Sequence, residues 1–167
     1  FFFKVTANTE IYTRSVHDAL PIFDANGLKA TSMMAAYDKP TNDIDSVVRD
    51  AHTFGAPYVV CSTVPRSGKK LSPDDIRRAG ESLNRFGKKL KESGLHGCYH
   101  IHGIEFEKSA DGTLFDTLAK ETNPDWANFE MDIFWIVYAY QDPVKLLHRY
   151  RGRFPMMHVK DIRKGTR

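Results

Sequence analysis

Two histidines and one glutamate lie within six positions of each other in the run of residues 99–107. His100 and His102 are two apart in an apolar, β-prone stretch, and strand side chains alternate, so both imidazoles are expected on one face of a strand. Glu105 follows where that strand should give way to a loop. Imidazole and carboxylate groups bind divalent metals and transfer protons near neutral pH. Taken alone, the stretch fits two half-buried histidines and a solvated glutamate equally well.

The composition is that of an ordinary soluble globular domain. The 167 residues suffice for one domain with a real core, and the hydrophobic and charged fractions are 41% and 27%. The net charge of +3 is small, and the C-terminal end is basic. That end (Lys160, Arg163, Lys164 and Arg167) is better explained as solvated surface than as a nucleic-acid patch. We therefore expect no nucleic-acid partner.

The cysteines and the apolar stretches indicate a cytoplasmic protein. Cys61 and Cys98 fall at the ends of predicted strands and form no C-x-x-C pair, which fits reduced thiols better than a disulfide or a zinc knuckle. No stretch approaches the roughly 18 consecutive apolar residues that span a bilayer. The apolar residues 1–3 are too few for the centre of a signal peptide. We expect no membrane association.

Residues 1–25 are expected to stand apart from the domain, as a segment of doubtful origin. The chain begins without Met, and the run of residues 12–22 resembles the translation of a sequencing adapter. Residues 1–5 have the pattern of a short strand, and residues 16–23 have that of a helix interrupted by Pro21. His17 and Asp18 fall in this segment and are therefore excluded from the candidate site.

From Asn26 onward, stretches of strand character alternate with stretches of helix character. The best-defined helix has Ser72 as its N-cap and Pro73 at its first position, and it ends near Gly94. Further helices are predicted over residues 43–54 and 114–120 and from residue 142, and strands over residues 28–34, 57–62, 95–102, 129–133 and 155–159. The alternation shows no hairpin signal and favours parallel βαβ units with about five strands.

Chemically active side chains recur at the ends of the last three predicted strands. These strand ends carry His100 and His102, then Glu130 and Asp132, and finally His158, Lys160 and Asp161. In parallel α/β folds, the reactive groups come from the carboxyl ends of the strands, which meet at one rim. Three successive strands are therefore expected to deliver a histidine, an aspartate and a histidine to the same rim.

Three motifs follow one another along the chain: Tyr-His-x-His-x-x-Glu-Phe at 99–106, Phe-Glu-Met-Asp-x-x-Trp at 129–135 and Met-His-Val-Lys-Asp at 157–161. Together they resemble the sugar phosphate isomerase/epimerase family of xylose isomerase-like TIM barrels, which is related in fold to endonuclease IV. The resemblance covers residues 26–164 and implies an α/β fold, a (β/α)8 barrel of parallel strands alternating with helices. A full barrel needs about 250 residues. Residues 26–167 are therefore expected to form an incomplete barrel that lacks the last strand.

The resemblance implies a single divalent metal, Mn²⁺, Mg²⁺, Co²⁺ or Zn²⁺, at the barrel mouth. Asp132 and His158 match ligand positions of the family. His100 stands where the family usually has a glutamate, and we assign it as the third ligand. The remaining family ligand, a glutamate on the eighth strand, is expected beyond Arg167. Plainer interpretations make Asp132 a turn cap and His158 a core histidine.

The activity that the resemblance implies is isomerisation or epimerisation of a sugar, sugar phosphate or keto-sugar. A proton next to a carbonyl would be transferred through an enediolate that the metal stabilises. His102 matches a recurrent site histidine and Glu105 the acid of a His-x-x-Glu-Phe subgroup, so either would orient the substrate or move protons. Lys160 would neutralise an oxyanion, or would form only a surface ion pair with Asp161. The general base usually comes from the eighth strand, so this chain alone is not expected to suffice for activity.

Three alternatives stay open. A dehydratase or lyase that acts on keto-sugars or inositol derivatives would use the same metal site, and a non-catalytic remnant would use none. DNA repair of the endonuclease IV type would need about three metals, further His and Glu ligands and a basic groove. The seven histidines of the chain, several of them on helices, fall short of that requirement. The expected partner is a small-molecule carbohydrate, and homo-oligomerisation is left open.

Overall fold

A five-stranded parallel sheet forms the centre of the computed structural model, which describes residues 16–36, 43–110 and 112–161. The strands are β1 (Ser32–Ala35), β2 (Tyr58–Cys61), β3 (His96–His100), β4 (Lys108–Ser109), β5 (Gly112–Thr113), β6 (Ala127–Asp132) and β7 (Met156–His158). The helices are α1 (Val16–Ala25), α2 (Ile44–Phe54), α3 (Pro73–Glu92), α4 (Leu114–Glu121), α5 (Ile133–Tyr138) and α6 (Pro143–Arg149), with a short 3₁₀ helix at Ile104–Phe106. The main sheet has the order β1-β2-β3-β6-β7, and β4 pairs with β5 in a separate antiparallel ribbon.

The predicted alternation of helices with parallel strands is confirmed for the main sheet. The expectation that the chain contains no hairpin is wrong, because β4 and β5 form a short one. Helix α5 was not predicted either. It begins directly after β6 because the Asp132 side chain accepts the N–H of Trp135 and so caps the helix.

Two strand boundaries differ from the predicted ones, and hydrogen bonds explain both differences. Strand β3 ends at His100 instead of His102, because the Glu105 carboxylate accepts the His102 N–H at 3.1 Å and withdraws it from the ladder. Strand β1 begins later than the predicted Leu28, because the Leu28 N–H bonds to the Phe23 carbonyl at 2.9 Å and closes helix α1. In both cases a local hydrogen bond competes with strand pairing.

The longest helix, α3, confirms the predicted start and packs closely against the sheet. Ser72 and Asp75 form a capping box, and Pro73 occupies the first position. Farther along, Gly87 lies so close to the entry of β6 that a Cβ atom would come within 2.1 Å of the Trp126 carbonyl oxygen. Only glycine fits there, and this allows the helix backbone to rest directly on the segment that leads into β6.

The two faces of the main sheet differ in chemistry. Cys61, Tyr99 and Phe129 are register partners on one face, and all three belong to the buried apolar core that packs against the helices. Because strand side chains alternate, the next register pair, His100 and Glu130, points to the opposite face. The core therefore lies between the sheet and its helices, while the buried side chains of His100, Glu130 and Asp132 lie on the other side.

Arg153 anchors the segment that leads into β7. Its guanidinium lies over the Phe129 ring, 4.7 Å from the centroid. It donates hydrogen bonds to the Ala119 carbonyl at 2.9 Å, to Thr122 Oγ1 at 2.7 Å and to the Ala127 carbonyl at 3.2 Å. These contacts join α4, the entry of β6 and the entry of β7, and they determine where the last strand of the sheet runs.

Helix α1 contacts α2 through the rings of Phe23 and Phe54, whose centroids are 6.1 Å apart. The predicted strand at residues 1–5 and the side chains of His17 and Asp18 lie outside the described residues. The separate origin that was suggested for residues 1–25 stays a prediction.

Three further expectations concern the cysteines, the membrane and the basic end. Both cysteines, Cys61 and Cys98, are free and buried, as expected for reduced thiols. Within the described ranges, no helix is both long and apolar enough to cross a bilayer. Of the basic end, only Lys160 falls within the described residues, and Arg163, Lys164 and Arg167 lie outside them.

Candidate functional site

Three side chains with metal-binding atoms meet at the carboxyl ends of β3, β6 and β7. They are His100, Asp132 and His158, and their ligand atoms all lie within 4.8 Å of one another. Asp132 and His158 are register partners, and His100 ends the strand beside β6. His158 Nδ1 lies 3.1 Å and His100 Nε2 lies 3.4 Å from Asp132 Oδ2. The structure thus brings together the three residues predicted as ligands.

The two carboxylate oxygens of Asp132 have different neighbours. The residue is 0% exposed, and Oδ1 accepts the Trp135 N–H at 3.0 Å. Oδ2 faces the histidines, and no donor in the described part of the chain meets it with hydrogen-bond geometry. Burial raises the pKa of Asp132, but the His100 ring and the Trp135 N–H outweigh it, so the pKa lies below its usual value. The turn-cap interpretation therefore applies to Oδ1 and the ligand interpretation to Oδ2, and the carboxylate is ionised.

A second buried carboxylate, Glu130, lies directly behind His100. It is 1% exposed, and its Oε2 accepts a hydrogen bond from His100 Nδ1. Burial lowers the pKa of His100, but the hydrogen bond to Glu130 and the nearby Asp132 carboxylate outweigh it and raise the pKa to about 9. Sequence reasoning placed Glu130 at a strand end without a role. Its spacing of two residues from Asp132 was the available signal, since it puts both side chains on one face of β6.

His102 lies beside His100 although β3 has already ended. The two ring centroids are 4.6 Å apart, and the His102 ring lies 6.3 Å from that of Trp135. The side chain is half-buried, and burial together with the positive charge of His100 lowers its pKa to about 4. The His102 ring is therefore neutral near pH 7, which is the form that accepts a proton.

The Glu105 carboxylate lies on the opposite side of the sheet from the three ligand residues. It is 0% exposed and accepts hydrogen bonds from Tyr99 Oη at 2.6 Å and from the His102 N–H at 3.1 Å. Tyr99 faces the helix-covered core because it precedes His100 on the strand. Burial raises the pKa of Glu105, and these hydrogen bonds offset part of the rise. The structure does not bring Glu105 into the cluster, and its carboxylate instead holds the turn that carries His102.

Lys160 lies at the rim of the cluster against two aromatic rings. Its Nζ is 4.7 Å from the centroid of Phe134 and 4.9 Å from that of Trp135. Its charge contributes to the low pKa of His102, so the two groups are near each other. The rim thus combines a cation and a neutral imidazole that share Trp135 as a neighbour.

The other histidines whose side chains the structure describes are all exposed. These are His52, His96 and His148. Among the described residues, the one group of three or more metal-binding side chains is the cluster at the carboxyl ends of the strands. The surface histidines therefore add nothing to the site.

Comparison with known proteins places this fold in a family. Residues 15–167 match the family model described as the xylose isomerase-like TIM barrel. The chain belongs to this TIM barrel family. The match confirms the resemblance drawn from the three motifs. It also confirms the α/β barrel fold class, of which the five parallel strands form a part.

Relatives of this TIM barrel include enzymes of two reaction types. The chain is 30% identical to the inosose dehydratase of Lacticaseibacillus casei over 126 residues, which cover 68% of this chain and 41% of that protein. A sugar phosphate isomerase/epimerase from Parabacteroides distasonis has a TM-score of 0.73 and 30% identity, covering 90% of this chain and 59% of that one. The IolI protein with a bound zinc atom shares the fold, with a TM-score of 0.65 and 13% identity over 94% of this chain and 61% of its own. The chain spans less than two thirds of each of these proteins.

A cavity of about 770 Å³ lies at the other end of the barrel strands. Its lining includes Tyr58 and Met156, which begin β2 and β7, and Phe23 and Phe54 of helices α1 and α2. Active sites of TIM barrels lie at the carboxyl ends of the strands, whereas the amino ends serve stability. The cluster lies at the carboxyl ends, where the His158 side chain is 32% exposed and leaves the site accessible. The candidate functional site is therefore the cluster.

Proposed function

We propose that the chain carries a divalent-metal site formed by His100, Asp132 and His158, within an enzyme that transfers a proton next to a carbonyl group. The substrate class is a keto-sugar, a sugar phosphate or an inositol derivative. Asp132 Oδ2 carries the proposal, because this buried oxygen faces two imidazole nitrogens and meets no donor of suitable geometry among the described residues. A metal ion held by this oxygen and the two imidazole nitrogens would offset the cost of burying the carboxylate charge.

The donor set fits a divalent transition metal. Two imidazole nitrogens and one carboxylate oxygen suit Zn²⁺, Mn²⁺ or Co²⁺ better than Mg²⁺, which prefers oxygen ligands. Three protein ligands also leave coordination positions for a substrate. When bound, such a metal polarises a carbonyl and stabilises neighbouring negative charge. The zinc atom of the IolI protein, which shares the fold, supports a metal in this kind of barrel.

The remaining groups at the rim have separate tasks in this proposal. His102 is neutral near pH 7 and half-buried beside the cluster, so it either accepts a proton from the substrate or orients the substrate. Lys160, held against Phe134 and Trp135, offers positive charge to an oxyanion. Glu105 is fully buried and its carboxylate accepts the His102 N–H, so it acts by positioning His102.

Two reaction types begin with the same proton removal and differ in the second step. Return of the proton to the opposite face of the same carbon gives epimerisation, and its transfer to a neighbouring carbon gives isomerisation. Dehydration results when a neighbouring hydroxyl group leaves together with the abstracted proton as water. The isomerase/epimerase from Parabacteroides distasonis, similar over 90% of this chain, supports the first reaction. The inosose dehydratases support the second, which we carry as the alternative. Because proton removal is common to both reactions, the same arrangement of residues could support either one.

Metal titration of the full 167-residue chain tests the site. Calorimetry with Zn²⁺ or Mn²⁺ should detect one site per chain. Asp132→Ala and His158→Ala should each weaken binding by more than about 100-fold, which exceeds the usual effect of residues outside the ligand set. His148→Ala, which removes an exposed histidine of α6, is the matched control and should bind like the unmodified chain. Binding that is missing, or that survives both ligand variants, contradicts the proposal and favours the non-catalytic alternative.

The two reactions are separated by incubating the metal-loaded chain with a keto-sugar or an inosose in D₂O. Deuterium next to the carbonyl without loss of water, measured by NMR and mass spectrometry, indicates an isomerase or epimerase. Loss of one water indicates a dehydratase. A metal-loaded chain that produces neither change contradicts the role of His102 as proton acceptor and leaves the metal site in place. That outcome agrees with the expectation that the general base comes from the eighth strand.

A further inference from the structure

Glu130 is a buried carboxylate that no step of the proposed chemistry uses. It points to the same side of β6 as Asp132, two residues later, and is 1% exposed. Its Oε2 accepts a hydrogen bond from His100 Nδ1. Its Oε1 is buried and has no hydrogen-bond partner among the described residues. A buried carboxylate with one unpaired oxygen calls for an explanation.

Glu105 shows how a structural buried glutamate is arranged in the same chain. Its Oε1 accepts from Tyr99 Oη and its Oε2 from the His102 N–H, so both oxygens are engaged. The engaged oxygen of Glu130 instead meets the ring of a ligand residue. Partly satisfied buried groups are uncommon, and they persist where a function constrains them.

We propose that Glu130 is a positioning residue that orients His100 for metal binding. A carboxylate at Nδ1 keeps a proton on that nitrogen and leaves Nε2 as the ligand atom. Nε2 is the nitrogen that faces Asp132 Oδ2, at 3.4 Å. The inference rests on the metal site of the proposed function and adds to it a residue outside the ligand set.

The contacts around the His100 ring favour the orientation in which Nε2 faces Asp132 and can bind a metal. The ring is nearly fully buried, with the His102 centroid 4.6 Å away and the His158 centroid 5.4 Å away. A flip of the ring would turn a C–H toward Glu130 and remove Nε2 from the cluster. The hydrogen bond to Glu130 opposes that flip and keeps the nitrogen aimed at the ligand oxygen of Asp132.

A rival role for Glu130 is that of a fourth ligand. The geometry argues against it, because Oε2 is occupied by His100 Nδ1 and the carboxylate is not part of the group whose ligand atoms lie within 4.8 Å of one another. The two roles also differ in how they tolerate glutamine. An amide oxygen accepts the Nδ1–H as a carboxylate does, but it is a much weaker metal ligand.

Zn²⁺ titration of the full chain and of two variants tests the inference. Glu130→Ala should bind Zn²⁺ about 10–100-fold more weakly, the usual cost of removing the outer partner of a ligating histidine. Glu130→Gln should retain most of the affinity, and Glu81→Ala, which removes an exposed glutamate of α3, should match the unmodified chain. Unchanged affinity in Glu130→Ala overturns the positioning role. Equal losses in the Ala and Gln variants overturn it in favour of a fourth ligand.

The ¹⁵N NMR spectrum of His100 in the unmodified chain gives a readout that needs neither metal nor a folded variant. At high pH, where the ring is neutral, the metal-free chain should carry the proton on Nδ1, and a proton on Nε2 overturns the inference. The same chain tests the proposed function separately. Missing Zn²⁺ binding together with a protonated Nδ1 contradicts the metal site and supports the contact between His100 and Glu130.

Discussion

The two faces of the main sheet carry different kinds of buried polar group. On the helix-covered face, Glu105 is fully buried and both of its oxygens accept hydrogen bonds. On the other face, Glu130 and Asp132 are as deeply buried, yet each has one oxygen without a hydrogen-bond donor in the described part of the chain. Satisfied networks stabilise a fold, whereas unsatisfied buried oxygens are costly and are retained where a ligand meets them. Changes on the first face should therefore affect stability, and changes on the second should affect binding.

The largest expected effect lies on the helix-covered face, at Gly87. A Cβ there would approach the Trp126 carbonyl oxygen to 2.1 Å, and backbone cannot move aside as a flexible side chain can. Gly87→Ala should therefore lower the free energy of unfolding by about 3 kcal/mol or more, despite the better helix propensity of alanine. Urea unfolding followed by circular dichroism measures this change.

Gly68→Ala is the matched control for the substitution at Gly87. A Cβ at Gly68 has nothing within 4 Å, and its backbone does not require a positive φ. The control should unfold within about 0.5 kcal/mol of the unmodified chain, as is usual for a surface position. If Gly87→Ala were as stable as this control, the close packing of α3 on the entry to β6 would be refuted.

The next effect contrasts the two buried glutamates. Glu105→Ala should lower the free energy of unfolding by about 1–3 kcal/mol, because Tyr99 Oη and the His102 N–H lose their acceptors. Glu130→Gln keeps an acceptor for His100 and should change stability less. Urea unfolding of both variants at one pH measures the difference. Equal losses would mean that the two glutamates have the same structural role and would remove the distinction between the faces.

A smaller effect should appear at acid pH on the helix-covered side, at Asp116. Burial raises the pKa of this carboxyl, but Thr113, Tyr150 and Arg149 outweigh it, so the pKa lies below the usual value. A folded-state pKa below the unfolded one stabilises the fold above the unfolded pKa, and this stabilisation is lost as the pH falls through the folded pKa. Asp116→Asn should therefore be less stable than the unmodified chain near pH 6, and the gap should shrink near about pH 3.

Urea unfolding at these two values of pH measures the gap for Asp116→Asn. Asp125→Asn, at an exposed position in the turn before β6, is the control for the removal of one acidic side chain. A gap for Asp116→Asn that stays constant or widens toward acid would show that the carboxylate form of Asp116 is not favoured by folding.

Local signals in the sequence predicted much of the fold and the outline of the site. The start of α3 could be predicted because Ser72 and Pro73 act within one turn of the helix. The meeting of Asp132 and His158 was predicted because parallel strands present their carboxyl ends at one rim, a rule that needs no detailed coordinates.

The different roles of Glu105 and Glu130 could not be predicted, since they depend on distant contacts. Glu130 meets His100 only through the register of β3 with β6. Glu105 reaches Tyr99 because the chain turns at Gly103, whose φ of 90° and close approach to the Trp135 carbonyl suit glycine. Neither the register nor this turn is encoded in the few residues around each glutamate.

The most direct test of the metal site is X-ray absorption spectroscopy of the full chain loaded with one equivalent of Zn²⁺. The proposed ligands His100, Asp132 and His158 predict two imidazole nitrogens and one carboxylate oxygen around the metal, at about 2.0–2.2 Å. A spectrum with this ligand set would support the site. Sulfur ligands at about 2.3 Å, or a shell without imidazole, would contradict it.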